Sequence, residues 1–276
     1  MQKCLGVWIA LLLAVLPLSA TELAPWLGQD LMIESRATYL FQSYRKIQTP
    51  NGSIFRHAND NFFTLGASFV RSNYSSNYSA EIEGTIADTH RQHFACDNLR
   101  LTLRYRMLND IVDDCFTLTP GITITKAFKH SVRDPSSFHH GEIEAELHVA
   151  VGREASLGPY WRSRWWAVAG VGQGDHGEPW LRGDWNWERN WWNEQQQLHL
   201  FLHTLCGLGN KNLSPHKHFK GYGSVRHRSI DIGARYSYLF ECDAILSLEY
   251  ARRVYAHNFP MQANLVQLQL FFPFGL

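Results

Sequence analysis

Residues 98–106 read NLRLTLRYR. Leu99, Leu101, Leu103 and Tyr105 alternate with Arg100, Thr102, Arg104 and Arg106. A strand, with its period of two, gathers the apolar four on one face and the polar four on the other. A helix would mix the two sets around its circumference. Residues 142–149, EIEAELHV, repeat the pattern with Ile143, Ala145, Leu147 and Val149 against Glu142, Glu144, Glu146 and His148.

Extended along the chain, this alternation predicts twelve strands, near 31–45, 61–72, 76–88, 97–108, 115–128, 141–152, 159–172, 180–189, 196–208, 225–240, 242–254 and 263–275. The stretch around Trp185 and Trp187 is the weakest; if it were a loop the count would fall to ten, because single-chain bacterial barrels have even strand numbers. Connections alternate between longer segments (46–60, 89–96, 129–140, 173–179, 209–224, 255–262) and tighter turns near 73–75, 109–114, 153–158, 190–195 and 241. Transmembrane β-barrels sort their loops by end in this way, whereas a water-soluble sandwich has no reason to. The fold class is therefore all-β, a single closed antiparallel transmembrane barrel.

Composition supports that reading. Lys and Arg number 26 against 25 Asp and Glu, a balance that argues against a polybasic nucleic-acid binder. The ten Trp residues want a half-apolar, half-polar setting such as a membrane interface. Lys3, the apolar run from Cys4 to Leu16 and the small-residue site before Thr21 predict a cleaved secretory signal peptide over residues 1–20, leaving the barrel domain as 21–276. The longest later apolar stretch, Trp165 to Val171, is far too short for a transmembrane helix. Cys96, Cys115, Cys206 and Cys242 would allow two disulfides in three connectivities, or serve as small hydrophobes; without a CxxC spacing they do not suggest zinc.

The last strand carries Val266, Leu268, Leu270, Phe272 and Phe274 on one face, with Gln267 and Gln269 on the other. With the features above, the mature chain resembles a Gram-negative outer-membrane β-barrel over its whole length. That resemblance implies a multi-pass outer-membrane location, outer-membrane lipids as surroundings, and the barrel-insertion machinery as a partner. The machinery would read Phe272 and Phe274, because Gly275-Leu276 stands where such proteins usually end in an aromatic residue.

On the lipid face the alternation places Tyr39, Phe41, Tyr105, Trp161, Trp165, Tyr236, Tyr238, Phe240 and Tyr250. The opposite face should line the lumen. There Glu81 and Glu83 oppose Arg100, Arg104 and Arg106, and folding the hairpin about its loop centre brings Glu81 to Arg104. Folding about Ser156 brings Glu146 to Arg164 and His148 to Arg162, with Glu142 and Glu144 on the same face. Facing acids and bases would stiffen the wall or set a transverse field across a pore.

Every long connection has histidine, and no tight turn does. The pairs His139-His140 and His216-x-His218 are candidates for a pH-sensitive external rim, since imidazole charges near pH 6.5, or for a metal, although no carboxylate or cysteine at ligand spacing joins them. His227-x-Ser229 matches the His-x-Ser of outer-membrane phospholipases and lipid A deacylases. A third member at Glu241 would lie about 40 Å away along one strand, and Ile230 stands where those enzymes carry asparagine. The sequence thus favours a small diffusion pore or structural surface protein, without a cofactor, acting on small solutes. A lipid hydrolase and an adhesin that binds a host-surface ligand through its loops are the alternatives.

Overall fold

The computed structural model describes residues 23–49, 52–73, 76–157, 160–191, 195–214 and 219–275. The predicted signal peptide, His216 and His218 lie outside these residues. Among the described residues the strands are β1 (Met32–Thr49), β2 (Gly52–Asn73), β3 (Ser76–Asp88), β4 (Ala95–Tyr105), β5 (Thr117–Ala127), β6 (Ile143–Leu157), β7 (Tyr160–Gly174), β8 (Trp180–Trp191), β9 (Gln196–Gly207), β10 (Arg228–Leu239), β11 (Ile245–His257), the two-residue β12 (Pro260–Met261) and β13 (Asn264–Gly275). One helical turn, α1, spans Lys129–Val132. All strand pairings are antiparallel between neighbours, and β1 pairs with both β2 and β13, so twelve strands close into a barrel with β12 clipped onto β1. Closure leaves no open sheet edge, as a spanning β structure requires.

The alternation sets the two faces. Leu65, Ile82, Leu147, Trp185 and Leu248 point outward from five different strands and are exposed. Their inward neighbours Thr64, Glu81, Glu146, Asn186 and Ser247 are buried. An apolar outer band of this kind is out of place in water and suited to hydrocarbon. Among the described residues no helix is long and apolar enough to cross a membrane. Around Trp185 and Trp187 the chain forms a full strand, β8, paired on both sides.

Two connections differ from the sequence expectation. Residues 46–60 do not form a long loop; β1 and β2 continue as a projecting hairpin to the pair Thr49–Gly52. The reason is local: Ile47, Ile54 and Phe55 favour strand, and Gly52, at φ 115°, adopts a turn conformation that side-chain-bearing residues avoid. Between β4 and β5 the connection covers 106–116 and is longer than four of those at the other end. The largest loops, 128–142 and 208–227, do share one end. The four cysteines among the described residues are free; Cys96 and Cys206 lie toward that end, Cys115 and Cys242 in connections at the other.

Candidate functional site

The barrel interior holds a chamber of about 430 Å³, with the chain itself as floor and roof. The floor is the segment before β1. On β6 and β7 the inward positions Ala150, Trp166 and Val168 form an apolar patch, and Leu23 buries against it with Ala24 and Trp26 alongside. The uncharged run from Leu23 to Leu27 suits that surface and gains stability by leaving water. Its polar atoms are met by the wall. Arg104 Nη1 donates to the Ala24 carbonyl at 2.9 Å, Thr119 Oγ1 donates to the Pro25 carbonyl, and Trp26 Nε1 donates to Asp110 Oδ1 at 2.9 Å. The Trp26 ring meets Trp166 edge-on at 5.8 Å, and the Arg164 guanidinium lies 5.0 Å from its centre.

The roof is built from the large loops. Tyr222 N–H donates to the His139 carbonyl and Gly223 N–H to that of His140, which zips the two loops together. Phe138, Tyr222 and Phe259 form an aromatic cluster with ring separations of 4.4–5.2 Å. His139 pins the roof to the wall, with Nε2 2.8 Å from Asp97 Oδ2 and Nδ1 3.6 Å from Glu144 Oε1. Burial disfavours its charge, but the Asp97 and Glu144 carboxylates outweigh burial and hold its pKa up at about 10. His140 stacks on Trp180 at 3.8 Å, and burial pushes its pKa down to about 3. Gly172 makes this stack feasible, because a Cβ there would overlap the Trp180 ring.

Between floor and roof the wall is a ring of compensated charges. Arg182 pairs with Glu146 at 3.1 Å and with Asp184 at 3.4 Å, Arg235 with Glu249 at 3.9 Å, and Arg253 with Asp231 at 2.7 Å. Arg36 reaches Glu81 at 2.9 Å and Glu83 at 3.9 Å, and Arg100 meets Glu83 at 3.5 Å. Arg36 reaches across β2 at Gly66, where a Cβ would crowd Glu83 at 3.1 Å.

No protein-family model matches the chain, and no curated protein matches it. Solved structures do. An outer-membrane channel from Pseudomonas putida F1 superposes with a TM-score of 0.70 at 11% identity, over 93% of this chain and 100% of that one. The NanC porin gives 0.54 at 11% identity over 87% and 98%, and the KdgM porin 0.50 at 8% over 87% and 99%. The chain has the fold of an outer-membrane channel. At these identities the likeness concerns the barrel, so the lumen must be read from its own residues.

Several sequence-derived pairings change. Glu81 sits opposite Thr102 and Glu83 opposite Arg100, two residues from the expected register, while Arg104 bonds Ser79 and the floor, and Arg106 bonds Asn77. Strand β6 runs on to Leu157 and β7 begins at Tyr160, so the turn lies later than 153–158. Consequently Glu146 and His148 oppose Gly172 and Gly170, and Arg164 meets Glu154 at 2.6 Å. Arg162 falls at a bulge and is exposed. Glu142 lies before β6 at the rim, 3.3 Å from Lys126, and does not face the lumen. Glu144, Glu146 and Arg100 line the chamber.

His139 and His140 are buried in the roof and are not solvated rim residues. With pKa values near 10 and 3, neither changes charge between pH 7.5 and 5.5. Among the described residues no group of three metal-ligating side chains occurs. His227 is buried beside Phe138, Tyr222 and Phe259, with Nδ1 against the Val225 carbonyl, and Ser229 faces the chamber. Glu241 follows the far end of unbroken β10, so no triad assembles. Phe272 and Phe274 pack together at 4.6 Å on the last strand. The sequence reading missed the chamber's main aromatic wall, His199, Phe201 and His203 on β9, because Leu198, Leu200 and Leu202 drew attention to the outward face. The histidines in the opposite phase were the available signal.

Proposed function

We propose that this protein is a gated channel for small solutes in the outer membrane, exported by a cleaved signal peptide and inserted through its last strand. The observation that carries the reading is the polar chamber inside a lipid-facing barrel, bounded by a floor that is a short chain segment and not a strand of the wall. The floor is attached by three side-chain hydrogen bonds and one apolar footing. A structural surface protein has no need of a chamber, and Ser229, turned inward, is badly placed to meet a membrane lipid. The end with loops 128–142 and 208–227 would face outside the cell, and both ends of the barrel domain the periplasm. Phe272 and Phe274 supply the outward aromatic pair for the insertion machinery.

The test is electrical. Purified full-length protein in a planar bilayer should be mostly closed with discrete openings, and loosening the floor should raise the open fraction. A protein that conducts under neither condition while remaining heat-modifiable on detergent gels would overturn the channel reading.

A further inference from the structure

The chamber's two sides differ in a way that selects a chemical class. On β9 and on β7 the inward rings form a continuous ladder. Trp166 stacks with His199 at 5.0 Å, His199 lies 5.4 Å from Phe201, and Phe201 stacks with His203 at 4.5 Å. His199 Nε2 is fixed 3.0 Å from Asn186 Oδ1, while His203 is exposed to the chamber. Across the barrel, β1, β3, β4 and β5 present Gln42, Thr85, Asn98, Thr123 and Thr125, and β13 adds Gln267 and Gln269. These are neutral donors and acceptors.

Charge is present but already committed. Each guanidinium lining the chamber has a carboxylate within 4 Å: Arg100 with Glu83, Arg182 with Glu146 and Asp184, Arg235 with Glu249, and Arg253 with Asp231. The charged His139 is likewise held between Asp97 and Glu144. An anionic solute would have to break such an ion pair or give up its hydration without a partner, and either course is costly in a confined interior. A cationic solute meets the same obstacle. A neutral sugar ring does not, because its C–H face lies flat on aromatic rings while its hydroxyls seek amides and hydroxyls. At about 430 Å³ the chamber is of small-ligand size.

We propose that the chamber receives an uncharged, polyhydroxylated solute, a neutral mono- or disaccharide, laid against the exposed His203 ring, which the buried stack of Trp166, His199 and Phe201 holds in place. The proposal rests on the channel reading and specifies its solute. Full-length protein in detergent is titrated with glucose, maltose, glucuronate and glucosamine while tryptophan fluorescence is followed, since Trp166 and Trp180 line the site. Proteoliposomes carrying the same protein are then assayed for swelling in each solute. Glucose or maltose should give saturable binding and the faster swelling, with the two charged sugars at least about tenfold weaker. His203→Ala should weaken sugar binding about two- to tenfold by removing one stacking ring. Leu200→Ala, on the outward face of the same strand, should bind as wild type. Equal binding of glucuronate and glucose, or no sugar response in wild-type protein, would overturn the solute class. Bilayer conductance separates that outcome from failure of the channel reading, because it reports opening whatever solute the chamber prefers.

Discussion

Trp26→Ala should unlatch the floor of the chamber. The indole makes three separable contacts: a hydrogen bond to the Asp110 carboxylate, an edge contact with Trp166 and a cation–π contact with Arg164. A hydrogen bond to a charged acceptor contributes about 1.5–3 kcal/mol, an aromatic pair about 0.5–1.5 kcal/mol, and a partly exposed cation–π contact about 0.5–1 kcal/mol. Taking the lower half of each range gives about 3 kcal/mol favouring the seated floor, or roughly 100-fold in its equilibrium. The remaining bonds, from Arg104 and Thr119, act on backbone carbonyls and survive the substitution. Single-channel recording should therefore show the open fraction rising by up to about two orders of magnitude, until saturation. Trp26→Phe, which keeps the ring contacts and loses the hydrogen bond, should fall between, near tenfold. An open fraction in Trp26→Ala equal to that of wild type, in protein that is still heat-modifiable, would refute the idea that this segment closes the lumen.

Three further outcomes follow from the same geometry. The His139 latch has a pKa raised from about 6.5 to about 10, so its stabilisation is complete below the lower value, declines between the two and is gone above the upper one; proteolysis of loop 128–142 in folded protein should be slow and flat below about pH 6.5 and accelerate progressively between about pH 6.5 and pH 10, and His139→Gln should show the faster rate at pH 6.5. Asp231→Asn removes the partner that accepts from Arg253 Nε at 2.7 Å and Nη2 at 2.8 Å; unfolding in denaturant should show a loss of about 3–5 kcal/mol, and a loss below 1 kcal/mol would mean the pair is solvated. Leu147→Arg puts a charge on the lipid face and should cost roughly 2–4 kcal/mol near the midplane, whereas Gln269→Arg points into the chamber and should cost less; equal damage in a lipid-refolding assay would reverse the two faces.

Strand positions and faces were legible in the residues themselves, because a period of two is a local property. Leu99 to Tyr105 and Ile143 to Val149 declare which side seeks apolar surroundings whatever strand lies beside them. The twelve-strand count, the apolar outer band and the acid–base interior follow from repeating that reading. Partners were not legible, because they depend on register, and register depends on where each turn falls. The turn falls after Leu157 and not at 153–158, which puts Glu146 and His148 opposite glycines and gives Arg164 to Glu154. Arg36 finds Glu81 across the intervening β2, where Gly66 leaves room, a contact between strands that are not neighbours. His139 and His140 lie in a polar-looking loop, and nothing local marks them as buried; the closed barrel supplies the carboxylates and the Trp180 ring that draw them in. The floor shows the same division. The run from Leu23 to Leu27 is plainly apolar, yet whether it meets lipid or lumen was decided by the inward patch of Ala150, Trp166 and Val168, which only the folded wall assembles.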